Sequence, residues 1–253
     1  MENTSLTGKN RGAAAGLRAV ILAGGKGTRL LPFTVNFPKP LVPLGDTPVL
    51  EVLINRLIQY QITDITLTVG HLAELIKAYF DRRKQLHEKI HLHYVDEQEP
   101  TGTAGSLAFL PGLDQTFIVC NGDLLTDLDF DDLVAFHRQE GAILTIASHC
   151  RHVKIDLGVL EFDENYRLLQ YREKPQNDYF VSMGIYVYEP SVLQYIELGS
   201  YLDFPDLVLK LLANGQKVCA YPNDSLWLDI GRPDDYARAQ EIYAEKKDSI
   251  DNI

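Results

Sequence analysis

Apolar positions along the chain repeat with two periods. Runs rich in β-branched residues read as strands, and runs with apolar residues three and four apart read as helices. Leu17–Leu22 is the first such strand, and "TPVLEVLINRLIQYQ" (Thr47–Gln61) is a helix with Asp46 or Thr47 placed to cap it. Ile62–Gly70 is a second strand, followed by the helix "LAELIKAYFDRRKQL" and the alternating strand "IHLHYVDE". "TAGSLAFL" opens another helix, and "FIVCNGD" (Phe117–Asp123) is a short buried strand ending in a turn. Asp131 can cap the helix "DLVAFHRQEG", which stops at Gly141, and "AILTIASHC" is the next strand. This βαβαβ rhythm predicts an α/β fold with a mostly parallel sheet and helices on both faces.

After Cys150 the pattern changes. "DLGVLEFDENYRLLQYREKP" reads as a hairpin turning near Glu164–Asn165, "SMGIYVYEP" as a strand stopped by Pro190, and "DFPDLVLKLLANG" as a helix ending at Gly215. "KVCAYP" and "LWLDIG" are expected to form a last strand pair before a C-terminal helix, "PDDYARAQEIYAEKK". The expected organisation is a flexible tail over 1–16, one unit over 17–248 and a short tail over 249–253. Within that unit, 17–150 is a nucleotide-binding half and 151–248 a substrate lobe.

The chain's 253 residues are enough to bury a sizeable core. A formal net charge of -11 gives no global basic footprint, which argues against nucleic acid as the main partner. An anionic substrate would need a local cluster of Lys and Arg. The cysteines Cys120, Cys150 and Cys219 are odd in number and lack metal-type spacing, as expected of reduced thiols in a cytoplasmic protein. No apolar run reaches the roughly 18 residues of a membrane helix, and the first sixteen residues do not suit a signal peptide.

Against that acidic background one cluster stands out, "LAGGKGTRLLPF" (Leu22–Phe33), directly after the first strand. It is not a P-loop, because Gly27 follows Lys26. Nor is it a dinucleotide fingerprint, because Leu30 stands where the third glycine belongs. The backbone N–H groups of Gly24, Gly25 and Gly27 can approach phosphate oxygens closely, with Lys26 and Arg29 neutralising the charge. Arg29 adds a planar, bidentate grip. Shortly after, the prolines of "FPKPLVPLGDTP" (Phe37–Pro48) stiffen the loop that carries Lys39 and fix where its ammonium points.

With "EPTGTAGSL", "NGD", "EKP", "MGIYV" and "WLDIGRPDDY" following in order, the chain from about Leu17 to Ala244 resembles the sugar-1-phosphate nucleotidylyltransferases. The resemblance implies a Rossmann-like, mixed but mostly parallel sheet with a small sugar-binding lobe. It also implies a reaction in which a sugar 1-phosphate attacks the α-phosphorus of an NTP and pyrophosphate leaves. Arg29 and Lys39 are then the catalytic cations. Nucleotide contacts are implied at Leu22, Ala23, Gly24, Gly25, Lys26, Gly27, Thr28, Glu97, Gly102, Thr103, Asn121 and Gly122. Asp123 and Asp229 are the implied Mg²⁺ ligands, and each ends an apolar strand, at the sheet edge where α/β folds bind ligands. Gly158, Glu173, Lys174, Ser182 and Gly184 are implied on the sugar-phosphate side, with Ser182 departing from the family's usual Asn. A homodimer is implied too. The absence of residues for an appended β-helix argues against a bifunctional enzyme.

Glu97 bears on the base. A carboxylate only accepts, which suits the N1–H and N2–H₂ of guanine and favours GTP, with mannose 1-phosphate or a related hexose or heptose phosphate. The alternatives are glucose 1-phosphate with dTTP or UTP, choline phosphate with CTP, and a non-catalytic sugar-nucleotide sensor. Asp127, Asp129, Asp131 and Asp132 read as cap and turn formers. His71, His91, His93 and His152 read as surface or core residues, without metal spacing.

Overall fold

The computed structural model describes residues 10–30, 32–97 and 99–251. β1 (Arg18–Ala23) runs into three 3₁₀ turns, Thr28–Leu30, Phe33–Val35 and Lys39–Leu41. A two-residue ribbon follows, β2 (Pro43–Leu44) on β3 (Thr47–Pro48), and then α1 (Val49–Gln59). Next come β4 (Asp64–Val69), α2 (Ala73–Phe80), α3 (Lys84–His87), β5 (His91–Asp96), α4 (Gly102–Gly105), β6 (Phe117–Asn121), β7 (Leu124–Thr126) and α5 (Phe130–Glu140). The chain continues through β8 (Leu144–Lys154), β9 (Val159–Phe162), β10 (Leu168–Arg172) and β11 (Gln176–Tyr188). It ends with α6 (Phe204–Ala213), β12 (Val218–Asn223), β13 (Trp227–Asp229) and α7 (Pro233–Asp251).

Seven strands form the central sheet in the order β12-β8-β11-β6-β1-β4-β5. Only β11 runs against its neighbours, so the sheet is mixed and mostly parallel, as the βαβ rhythm requires. One face buries Leu53 and Leu57 of α1, Ile76 and Phe80 of α2, and Leu133 and Val134 of α5. The other buries Leu107, together with Leu207 and Leu211 of α6. Each such side chain removed from water is worth roughly 1.5–3 kcal/mol, so these two layers supply the drive to hold the sheet edge in place. Tyr243 and Ala239 of α7 pack on Val49 and Val52 of α1 in a smaller cluster beside the sheet.

Several local details differ from the expectations. α1 starts at Val49, because Thr47 and Pro48 are taken up in the ribbon with β2, and neither Asp46 nor Thr47 caps it. Asp129 caps α5 by accepting from the Asp132 N–H at 3.0 Å. Asp131 turns instead to the segment before β1, accepting from the N–H groups of Gly12 and Ala14 at 2.8 Å each. Residues 10–16 of the expected tail are therefore docked, with Ala14 buried, and 1–9 lie outside the described residues. α7 continues through 249–251 of the second expected tail. β12 and β13 do not pair with each other. β12 extends the sheet beside β8, and β13 pairs with β7. The expected division at residue 150 falls inside β8, and β11 and β12 complete the sheet begun by the first half. Among the described residues no helix is long and apolar enough to cross a membrane.

Candidate active site

The glycine loop that follows β1 and the 3₁₀ turn Lys39–Leu41 meet over the end of that strand. Gly27 has φ +61°, and a β-carbon there would lie 3.0 Å from both Lys39 Cβ and Thr34 Cγ2. The glycine loop thus crosses directly above Lys39, which only a residue without a side chain permits in that conformation. Thr34 Oγ1 donates to the Gly27 carbonyl at 2.7 Å and fixes the crossing. Pro38 precedes the 3₁₀ turn, Lys39, Pro40 and Leu41 are all buried, and Lys39 is only 9% exposed.

A buried ammonium needs partners. Lys39 Nζ donates to Asp123 Oδ2 and lies 3.7 Å from Asp229 Oδ1. The aspartates are brought together by the antiparallel register of β7 and β13, which sets Asp229 opposite Leu124. The Ile230 N–H then donates to the Asp123 carbonyl at 3.0 Å. Burial pushes the Asp229 carboxyl up and the Asp123 charge adds to this, while Lys39 and Arg29 oppose it. Asp229 Oδ1 is buried without a hydrogen-bond partner. Arg29 reaches the same corner: a β-carbon on Gly231 would meet Arg29 Nη1 and Asp229 Oδ1, each at 3.4 Å. An orphaned carboxylate oxygen beside a second carboxylate, at a place that already holds a cation, fits Mg²⁺, which takes one or two carboxylates plus phosphate oxygens.

Arg29, Lys39 and Asp123 border a cleft of about 780 Å³. Its wall includes Leu22, Gly24, Gly25, Lys26, Gly27, Thr28, Arg29, Lys39, Glu97, Gly102, Thr103, Asn121 and Asp123. Ala23 and Gly122 stand behind the wall, where the Gly122 N–H donates to the Leu22 carbonyl at 2.9 Å. Glu97 faces the glycine loop: a β-carbon on Gly24 would lie 2.8 Å from Glu97 Oε2. Burial pushes the Glu97 carboxyl up, with the Ser106 hydroxyl opposing. At the far wall Gly102, φ +80°, lies so close to the 201–203 segment that a β-carbon would be 2.5 Å from the Leu202 carbonyl oxygen. Asp203 accepts from the Thr103 N–H at 3.1 Å and from the Tyr201 hydroxyl at 2.7 Å.

A second cleft of about 310 Å³ adjoins it through Leu22, Thr103 and Asn121 and contains Ser182, Gly184 and Asp229. The β11 register shifts between Ser182 and Tyr186, and Gly184, φ +73°, sits where a β-carbon would meet Asn121 Nδ2 at 2.6 Å. This irregularity turns Ser182 toward the space left between β6 and Phe204. Gly158, Glu173 and Lys174 line neither cleft. They lie on the β9–β10 lobe, where Glu173 accepts from the Tyr171 hydroxyl at 2.6 Å and Gly158 faces that same hydroxyl.

Thr68, Gly70, Ser106, Tyr201 and Asp203, none of them singled out in the sequence, line the larger cleft, and so does His71, expected to be a surface or core residue. His71 follows a parallel strand end, the position that could have marked it. Tyr201 and Asp203 carried no signal beyond the short run before α6.

The α/β sheet thus gathers a glycine loop, two cations and two aspartates at one edge, an arrangement suited to holding phosphate groups. The family profile described as nucleotidyl transferase matches residues 18–246, and the chain belongs to that family. It is 37% identical over 241 residues to the UTP–glucose-1-phosphate uridylyltransferase of Synechocystis sp., covering 88% of this chain and 62% of that protein. It is 34% identical over 227 residues to the mannose-1-phosphate guanylyltransferase of Mycobacterium tuberculosis, covering 87% and 62%. The chain thus spans less than two thirds of the length of these curated relatives. The crystal structure of HddC from Yersinia pseudotuberculosis is similar with a TM-score of 0.69 and 25% identity, covering 90% of this chain and 99% of that one.

Proposed function

We propose that the protein is a Mg²⁺-dependent sugar-1-phosphate nucleotidylyltransferase that uses GTP with mannose 1-phosphate or a related hexose or heptose 1-phosphate. The observation that carries this reading is the buried Lys39, held by Asp123 and close to Asp229 beneath the glycine loop, with Arg29 at the same corner. In the reaction an oxygen of the sugar phosphate bonds to the α-phosphorus, the bond from that phosphorus to the β-phosphate oxygen breaks, and pyrophosphate leaves with the electron pair. No proton needs to be held by the protein, so positioning and charge neutralisation supply most of the rate. The glycine loop's N–H groups and Lys26 bind the triphosphate, Arg29 stabilises charge on the departing pyrophosphate, and Lys39 neutralises charge at the reacting phosphates. Mg²⁺, when bound by Asp123 and Asp229, neutralises the triphosphate and polarises the phosphoryl oxygens.

For the base, Glu97 is one of three carboxylates lining the larger cleft, with Asp123 and Asp203, and it faces the glycine loop, where an acceptor suits the donor edge of guanine. A second reading, UTP or dTTP with glucose 1-phosphate, draws on the uridylyltransferase relative. Tyr186, Phe204 and Trp227 in the smaller cleft also keep choline phosphate with CTP in the comparison, because aromatic faces bind quaternary ammonium groups. The lobe supports a homodimer. Leu160 and Tyr171, and Phe162 and Leu168, are cross-strand neighbours on one face of the β9–β10 hairpin, and all are exposed, with Tyr166 beside them at 86%. A two-stranded ribbon is marginal alone, and two such faces would together bury on the order of 1,200 Å², the lower bound of a stable interface. The test is pyrophosphate release with each NTP against a panel of sugar 1-phosphates and choline phosphate. Preference for GTP supports the Glu97 reading, and preference for a pyrimidine overturns it while leaving the nucleotidylyl transfer intact.

A further inference from the structure

On the neck that joins the central sheet to the lobe, Cys150, His152 and Asp178 bring their ligating atoms within 4.8 Å of one another. Strand register explains the convergence. Cys150 and His152 are two residues apart on β8, so their side chains leave the same face. Asp178 of β11 sits directly opposite His152, and Phe180 opposite Cys150. The same row continues inward to Ser148 and Ser182, which faces the smaller cleft. Three donors are thus presented by two paired strands rather than by a loop. His152 Nδ1 and Asp178 Oδ1 are 2.6 Å apart, and this hydrogen bond holds the Asp178 carboxyl below its usual range. Cys150 is a free, half-buried thiol.

We propose that Cys150, His152 and Asp178 form a Zn²⁺ site, separate from the Asp123–Asp229 pair and built for a softer ion. Thiolate with imidazole selects zinc-like ions, whereas an all-oxygen pair suits Mg²⁺. A tetrahedral zinc ion with bonds of about 2.0–2.3 Å spaces its ligand atoms roughly 3.3–3.8 Å apart. His152 and Asp178, 63% and 56% exposed, have room to rotate outward to that spacing. Three protein ligands leave a fourth position for water. The ion clips β8 to β11 at the root of the lobe that carries Gly158, Glu173 and Lys174. Sequence spacing could not reveal this site, because its third ligand arrives through cross-strand pairing.

The probe is Co²⁺, a spectroscopic stand-in for Zn²⁺, titrated into the reduced, chelator-treated full chain. The expected result is a thiolate-to-cobalt charge-transfer band that saturates at one ion per chain and is displaced by Zn²⁺. Cys150→Ser should abolish it, Cys219→Ser and Asp123→Asn should keep it, and His152→Ala should weaken cobalt affinity by about tenfold or more. His152 is a surface residue, so that variant separates loss of binding from loss of folding, which circular dichroism in chelator checks for each protein. Absence of the band in the wild type, its survival in Cys150→Ser, or unchanged affinity in His152→Ala would overturn the proposal.

Discussion

Replacing Lys39 with Met keeps most of the buried volume and removes the charge. Asp123 and Asp229 would then face each other without their shared cation. Breaking a buried ion pair from one side costs about 3–5 kcal/mol. The Asp229 side chain is 38% exposed, and solvent screening lowers that cost. A loss of roughly 2–3 kcal/mol remains, which for a chain of this size lowers the melting temperature by about 4–12 °C. The loss should be largest in chelator and should shrink in millimolar Mg²⁺, because a divalent ion replaces the missing charge between the same carboxylates. It should also shrink as pH falls, since burial holds the Asp229 carboxyl above its usual range and a proton there relieves the repulsion. Thermal melts of wild type and Lys39→Met, each with chelator and with Mg²⁺ and repeated at a lower pH, measure all three. Turnover in Mg²⁺ should fall at least about a hundredfold, the usual cost of removing one positioned electrostatic group. An unchanged melting temperature in chelator would refute the electrostatic account of the site. Stability restored by Mg²⁺ together with full turnover would make Lys39 structural only.

Four further outcomes are expected. Gly102→Ala should cost about 2–3 kcal/mol in urea denaturation, because the added carbon meets a backbone carbonyl at 2.5 Å in a left-handed conformation; Gly25→Ala, with nothing within 4 Å, should stay within about 0.5 kcal/mol. Glu97→Gln should lower kcat/KM for GTP about tenfold or more while changing UTP little, since only guanine loses paired acceptors. His137 is buried between Thr145 and Glu189, and burial holds its pKa below the ordinary 6.5. The unfolded chain therefore takes up a proton first, and stability present above about pH 6.5 should fall as pH drops below it, a slope that His137→Gln should flatten in urea midpoints. Phe162→Glu on the lobe's apolar face should shift the protein to monomer in sedimentation velocity, and a wild type that is already monomeric would remove the basis for the dimer.

The sheet was legible because its strands are short apolar runs separated by amphipathic helices, and both patterns report local burial. The glycine loop, the proline-stiffened lysine and the strand-end aspartates were legible as separate motifs, since each needs unusual residue types. Their assembly was not. Lys39 meets Asp229 only because β13 pairs with β7, a connection opposite to the expected pairing of β12 with β13. The cap of α5 differs from the expected one because four aspartates cluster at the helix start, Asp127 and Asp129 before it and Asp131 and Asp132 in its first turn, and the choice of Asp129 over Asp131 depends on contacts with residues 12 and 14. Gly158, Glu173 and Lys174 could be placed only on motif resemblance, and the lobe holds them outside both clefts.

By the proposed function, this edge of the sheet transfers a nucleotidyl group to a sugar phosphate. The direct measurement is mass-spectrometric detection of product after incubating the protein with Mg²⁺, GTP and mannose 1-phosphate, beside Asp123→Asn. The wild type should form a GDP-sugar in equal amount with pyrophosphate, and the variant none above background. No nucleotide sugar from any NTP and sugar-phosphate pair, or equal amounts from both proteins, would contradict the proposed function.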